Sequence, residues 1–142
     1  MEVKLESSPV YTYVAENGRR FTTPELCTRY EYLHHRWKDV AREGIDTEEH
    51  LIRYYPVNNY DEVKEVQEYE RLHYHTYARI TNECMYTFPG WIYVSSTDYE
   101  GDRDIEPVSF LEECVEDVER TLTQIRADIA ELRGTTYEGN LS

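Results

Sequence analysis

Seven apolar residues late in the chain, Leu111, Val115, Val118, Leu122, Ile125, Ile129 and Leu132, are spaced alternately by four and by three. That spacing is a heptad stripe of period 3.5, and it predicts a long amphipathic helix with charge on its other faces. Earlier, residues 10–22 predict a β-hairpin: Val10, Tyr11, Thr12, Tyr13 and Val14 are strand formers, and Asn17-Gly18 supplies the two positive-φ residues of a type I′ turn. With those two residues as the loop, Glu16 faces Arg19, Ala15 faces Arg20 and Val14 faces Phe21. Thr22 or Thr23 then caps a helix that has Pro24 in its first turn, and Glu25 completes a Thr22-x-x-Glu25 capping box if Thr22 is the cap. Leu26, Tyr30, Leu33, Trp37 and Val40 form its buried stripe, and Gly44 ends it.

Asp46 and Thr47 predict the start of a short helix through Tyr55, stopped by Pro56. Asn59-x-x-Glu62 opens a longer helix over 60–82, with Val63, Val66, Tyr69, Leu72 or His73, Tyr77 and Ile80 facing inward. Residues 72–77 also alternate as a strand would, but the good helix formers before them favour a helix. Phe88-Pro89-Gly90-Trp91 is a type II turn signal between aromatic and β-branched runs, so a second strand pair is expected within 84–97. The sum is an α+β fold in one domain, 1–134: an N-terminal hairpin, that second strand pair, three main helices with the last the longest, and a flexible tail at 135–142.

The run YVAENGRRFTTPELCTRYE, residues 13–31, resembles a hairpin-then-helix element of small tailed-bacteriophage proteins, in which a strand, an N-G or D-G turn, a Phe, a capped helix start, a Cys and a Tyr-Glu pair recur. The resemblance covers about an eighth of the chain and implies a phage or prophage origin. Its positions are structural, so it assigns no functional residue.

At 142 residues the chain is long enough to bury roughly two-thirds of its unfolded surface without disulfides or a metal. Cys27, Cys84 and Cys114 are odd in number and far apart, which argues against a disulfide framework or a structural zinc and for a reducing compartment. No apolar run approaches a membrane span, and the first residues lack a signal-peptide core, so the expectation is a soluble protein of the host cytoplasm.

Charge changes the picture in one place. Residues 98–119 carry ten acids and one base, Arg103, which is −9 of the −14 total. Such a field repels phosphate backbones and anionic lipid and attracts basic protein surfaces. Asp98, Glu100, Asp102, Asp104 and Glu106 alternate as calcium ligands do, but the glycine falls too early for an EF-hand and no glutamate arrives at the twelfth position. The same acids with Glu112, Glu113 and Glu116 can instead imitate a row of phosphates.

Cys27, Glu31 and His35 share a helix face, His34 and His35 do not, and no catalytic elbow or Gly-rich phosphate loop is present. No enzyme activity, cofactor or metal is therefore expected. Of the fourteen tyrosines, Tyr32, Tyr54, Tyr55, Tyr74, Tyr93 and Tyr99 exceed what the stripes need and suit an interface. The favoured function is a small acidic phage inhibitor, anti-CRISPR-like or anti-restriction-like, whose eight acids occupy the basic site of a nucleic-acid-binding host or defence protein. The alternative is an assembly protein forming a homodimer through Leu111, Val118, Ile125 and Leu132.

Overall fold

The computed structural model describes residues 1–5, 11–96 and 102–135. The fold is α+β, as the periodicities require. Strands β1 (Glu2–Leu5), β2 (Tyr11–Val14) and β3 (Arg20–Phe21) form an antiparallel sheet in that order. A second sheet has the order β4-β5-β7-β8-β6, from β4 (Arg42–Ile45), β5 (Leu51–Val57), β6 (Tyr77–Ile80), β7 (Gly90–Ser96) and β8 (Asp102–Pro107). All its pairs are antiparallel except β6 with β8. The helices are α1 (Pro24–Trp37), α2 (Tyr60–Tyr74) and α3 (Val108–Gly134).

The N-terminal hairpin forms, one register step from expectation. Tyr13 pairs with Phe21 and Val14 with Arg20, and the Ala15 N–H donates to the Arg19 carbonyl. Only Gly18 has positive φ in a turn closed by its own N–H on the Ala15 carbonyl, which is a three-residue loop with a bulge and not a type I′ turn. The step matters because it sets which residues face inward. Val14 and Ala15 are buried, and Ala15 forms a small cluster with Cys27 and Tyr30 of α1.

Thr23 is the cap of α1, accepting from the Leu26 N–H, with Pro24 behind it. The buried stripe is Cys27, Tyr30, Leu33 and Trp37, so Leu26 is exposed and Val40 lies beyond the helix end. Gly44 does not end α1; it sits in β4, where the Tyr54 ring crosses 2.5 Å from the place a Cβ would occupy.

The helix expected at 46–55 is a hairpin. Asp46 does bind nearby backbone N–H groups, as a cap would, but they are those of Glu48 and His50, and Glu49 closes the turn at φ 65°. Leu51–Val57 then runs as a strand because its β-branched and aromatic residues alternate between faces. Pro56 is tolerated because β4 pairs only as far as Tyr54, leaving that end of β5 with one neighbour.

Helix α2 opens at the expected Asn59 cap, whose side chain accepts from the Glu62 N–H at 2.9 Å. It stops at Tyr74, short of 82, because His75 turns left-handed at φ 57° and its N–H bonds back to Glu70. Tyr77 and Ile80 accordingly belong to a strand. The expected strand pair within 84–97 is also revised: residues 83–85 form a 3₁₀ turn, Phe88–Pro89 is a cis bond, and among the described residues only β7 forms there, pairing with β5 and β8.

Leu33 and Trp37 of α1 and Val63, Val66 and Tyr69 of α2 meet Tyr55, Val57, Ala78, Ile92, Val94 and Ile105 of the larger sheet. Leu72 packs against both this cluster and the smaller one, so the two sheets share one apolar interior. Inside it Glu70 is fully buried and takes two hydrogen bonds from Arg53, at 2.7 and 2.6 Å, and one from the Tyr55 hydroxyl. The Arg53 guanidinium lies 3.7 Å from the Tyr74 ring centre. Burial opposes that charge, yet the hydrogen bonds it donates to Glu70 and the charge of that carboxylate hold the guanidinium pKa above its ordinary value.

Candidate functional site

Helix α3 leaves the sheet directly from β8, through Pro107, with no side-chain cap. Its first turns pack on β7 and β8, and the Ser109 hydroxyl donates to the Met85 carbonyl at 3.2 Å. Val108, Ser109, Phe110 and Leu111 are half-buried there, and Cys114 is the last residue with that degree of cover. Burial pushes the Cys114 thiol up, helped by Glu106, Asp117 and Glu113.

From Val115 to Thr135 every residue is exposed. At 1.5 Å per residue this is a rod about 30 Å long standing clear of the domain. The heptad stripe lies along it: Val115, Val118, Leu122, Ile125, Ile129 and Leu132 are 41 to 61 % exposed. A helix of this length with several β-branched residues is marginal alone in water, because helices draw most of their stability from packing an apolar face. The six side chains form a contiguous apolar stripe open to solvent.

The eight acids expected to act together are divided among different environments. Asp98 and Glu100 lie outside the described residues, and Asp102 begins β8. Asp104 accepts from the Arg79 guanidinium at 3.2 Å. Glu106 is buried and accepts from the Tyr93 hydroxyl at 2.8 Å; burial pushes its carboxyl above the usual range, and Asp104 adds to that. Glu112, Glu113 and Glu116 are exposed on the first turns of α3. Among the described residues, what stays exposed of the acidic row is thus the foot of the same helix that carries the stripe.

The remaining candidates disperse. Cys27 is fully buried, Glu31 lies 3.4 Å from the terminal amine, and His35 pairs with Glu16 at 2.8 Å, so the three do not share a site. No group of three or more metal-ligating side chains converges among the described residues. Tyr55 and Tyr93 are core residues, Tyr32 and Tyr74 are exposed as expected, and Tyr99 lies outside the described residues.

Sequence reasoning missed one cluster, because its members are far apart in the chain. His34 of α1 and His73 of α2 sit 5.3 Å apart between ring centres, and both stack on Tyr30. The Arg19 guanidinium covers the same Tyr30 ring at 4.9 Å. Burial lowers the pKa of both histidines; Lys38 and His35 add to it at His34, and His34 and Arg19 add to it at His73. The buried His34 Nδ1 has no hydrogen-bond partner among the described residues.

A folded-state pKa below the ordinary value means that the unfolded chain binds more protons, so these histidines withdraw stability as pH falls below about 6.5. Urea melts at pH 7.0 and 5.5 are expected to show that loss in the wild type and a smaller one in His34→Phe. Glu106, whose pKa is raised, works in the opposite direction in both proteins, so the difference between them isolates the histidine. Equal pH dependence in the two proteins would exclude this role.

Comparison with family models, with curated proteins and with solved structures gave no match. No helix among the described residues is long and apolar enough to cross a membrane.

Proposed function

We propose that this protein is an assembly module, which brings copies of its compact domain together through α3. One observation carries the reading: six consecutive heptad positions are exposed on a helix that, among the described residues, touches its own domain only at its foot. Three heptads of a and d residues are enough for a short coiled coil, and pairing removes the exposed stripe from water. The test is sedimentation velocity over a range of concentrations. Reversible dimers lost on Ile125→Glu support the reading, and a monomer up to about 100 μM overturns it.

A second reading rests on Glu112, Glu113 and Glu116, which no basic side chain meets among the described residues. They favour the acidic phage-type inhibitor acting in the host cytoplasm on the basic site of a nucleic-acid-binding host or defence protein, anti-CRISPR-like or anti-restriction-like. Glu113 and Glu116 lie off the apolar stripe, so replacing both with Lys leaves α3 pairing intact. That variant is expected to lose salt-sensitive capture of a purified nucleic-acid-binding defence complex. Undiminished capture by the variant would remove the acids from the site.

A further inference from the structure

We infer that α3 takes as its partner a second copy of itself running in the opposite direction, with Val115 against Leu132, Val118 against Ile129 and Leu122 against Ile125 of the other copy. This rests on the assembly reading and adds the orientation and register to it.

The stripe fixes the register. Val115, Leu122 and Ile129 occupy heptad position a, and Leu111, Val118, Ile125 and Leu132 position d. Leu111 is half-buried at the foot of the helix beside its own domain, so the free stripe is the six residues from Val115 to Leu132. Read backwards, those six match themselves: each a residue meets a d residue in all six layers, and none is left over. Four of the six layers set a β-branched side chain against a leucine, Val115 with Leu132 and Leu122 with Ile125, and the other two set Val118 against Ile129.

Charge fixes the direction. The e positions beside the stripe are Glu112, Glu119, Arg126 and Arg133, two acids followed by two bases. In an antiparallel pair e faces e, which places Glu112 by Arg133 and Glu119 by Arg126 of the other copy, and each pair occurs twice by symmetry. The g positions, Cys114, Thr121 and Asp128, oppose no like charge in this arrangement. A parallel pair brings g against e and keeps only Asp128 with Arg133. It also sets the five acids of residues 108–121 beside their own copies, where one base, Arg120, is already paired with Asp117.

The helix dipole favours acids at the start and bases at the end, but its effect fades within the first and last turns. Glu119 and Arg126 lie two turns or more from either end of α3, so their placement needs another cause. The antiparallel partner supplies it.

The test is the distance between spin labels in the full-length dimer, with Cys84 and Cys114 replaced by Ser and Cys27 left buried beyond the reagent's reach. Labels at Glu113→Cys and, separately, at Gln124→Cys lie at the end and near the centre of the overlap. Antiparallel pairing separates the two 113 labels by 21 residues of axial rise, about 30 Å. Their measured distance then exceeds the one at 124 by about 15 Å, once the width of two packed helices, roughly 20 Å, is included.

Equal short distances at both positions would overturn the orientation and leave assembly through α3 standing. A monomer under the same conditions would overturn both. Independently, Glu119→Arg is expected to weaken the dimer by roughly 5- to 10-fold by placing Arg against Arg, and adding Arg126→Glu to the same chain restores it. In a parallel pair these positions face Cys114 and Thr121, and the exchange would do little.

Discussion

Glu70→Ala is expected to destabilise the domain by about 3–5 kcal/mol, a large part of the 5–15 kcal/mol that holds a domain of this size together. The carboxylate is fully buried, and three donors depend on it: two from Arg53 and the Tyr55 hydroxyl. Removing it leaves the Arg53 guanidinium, only 16 % exposed, without a counter-charge over the Tyr74 ring. The cost comes from the stranded charge and not from the net worth of the pair, since a buried ion pair replaced by apolar groups of similar volume is often neutral or stabilising. The triple change Arg53→Met, Glu70→Leu and Tyr55→Phe is therefore expected to recover most of the loss. Chemical denaturation of the two variants checks this; a loss under 1 kcal/mol in Glu70→Ala would show that water reaches Arg53.

The second large effect is on association. Ile125 is a d residue in the middle of the free stripe and 45 % exposed in the single chain. In a dimer both copies lose a buried isoleucine, about 1.5–3 kcal/mol each, and gain a carboxylate facing the seam. Ile125→Glu is thus expected to raise the dimer dissociation constant by at least about 100-fold. The domain itself should keep its fold, because Ile125 touches none of the core. Melting curves recorded below the dimerisation concentration separate the two effects, since association raises apparent stability by mass action. A wild type and a variant with the same sedimentation behaviour would end the case for α3 as the joining element.

The parts legible in the sequence were those carried by several consistent local signals. Thr23-Pro24, Asn59-x-x-Glu62 and the heptad stripe each mark a helix where one stands. What hid the remainder was local chemistry with two uses. Asp46 binds backbone N–H groups in a hairpin as readily as in a cap. His75 performs the left-handed stop usually assigned to glycine, so α2 read too long. No strand was expected at 102–107 because charge obscured the alternation of β8, whose Ile105 is fully buried while Asp104 and Glu106 find Arg79 and Tyr93. The stripe on α3 was visible from spacing alone. Its exposure was not, because period 3.5 is the same whether a helix packs on its own domain or on another.

The route by which α3 enters the sheet has a mechanical consequence. It continues from β8, which lies between β7 and β6 and is bonded to both, whereas β4 and β6 form the edges. Tension on the rod is therefore delivered to an interior strand. To give way, β8 must slide against an antiparallel ladder on one side and a parallel ladder on the other, breaking both together, whereas an edge strand could peel away one bond at a time. The domain is anchored to its helix at the place where pulling meets the most resistance.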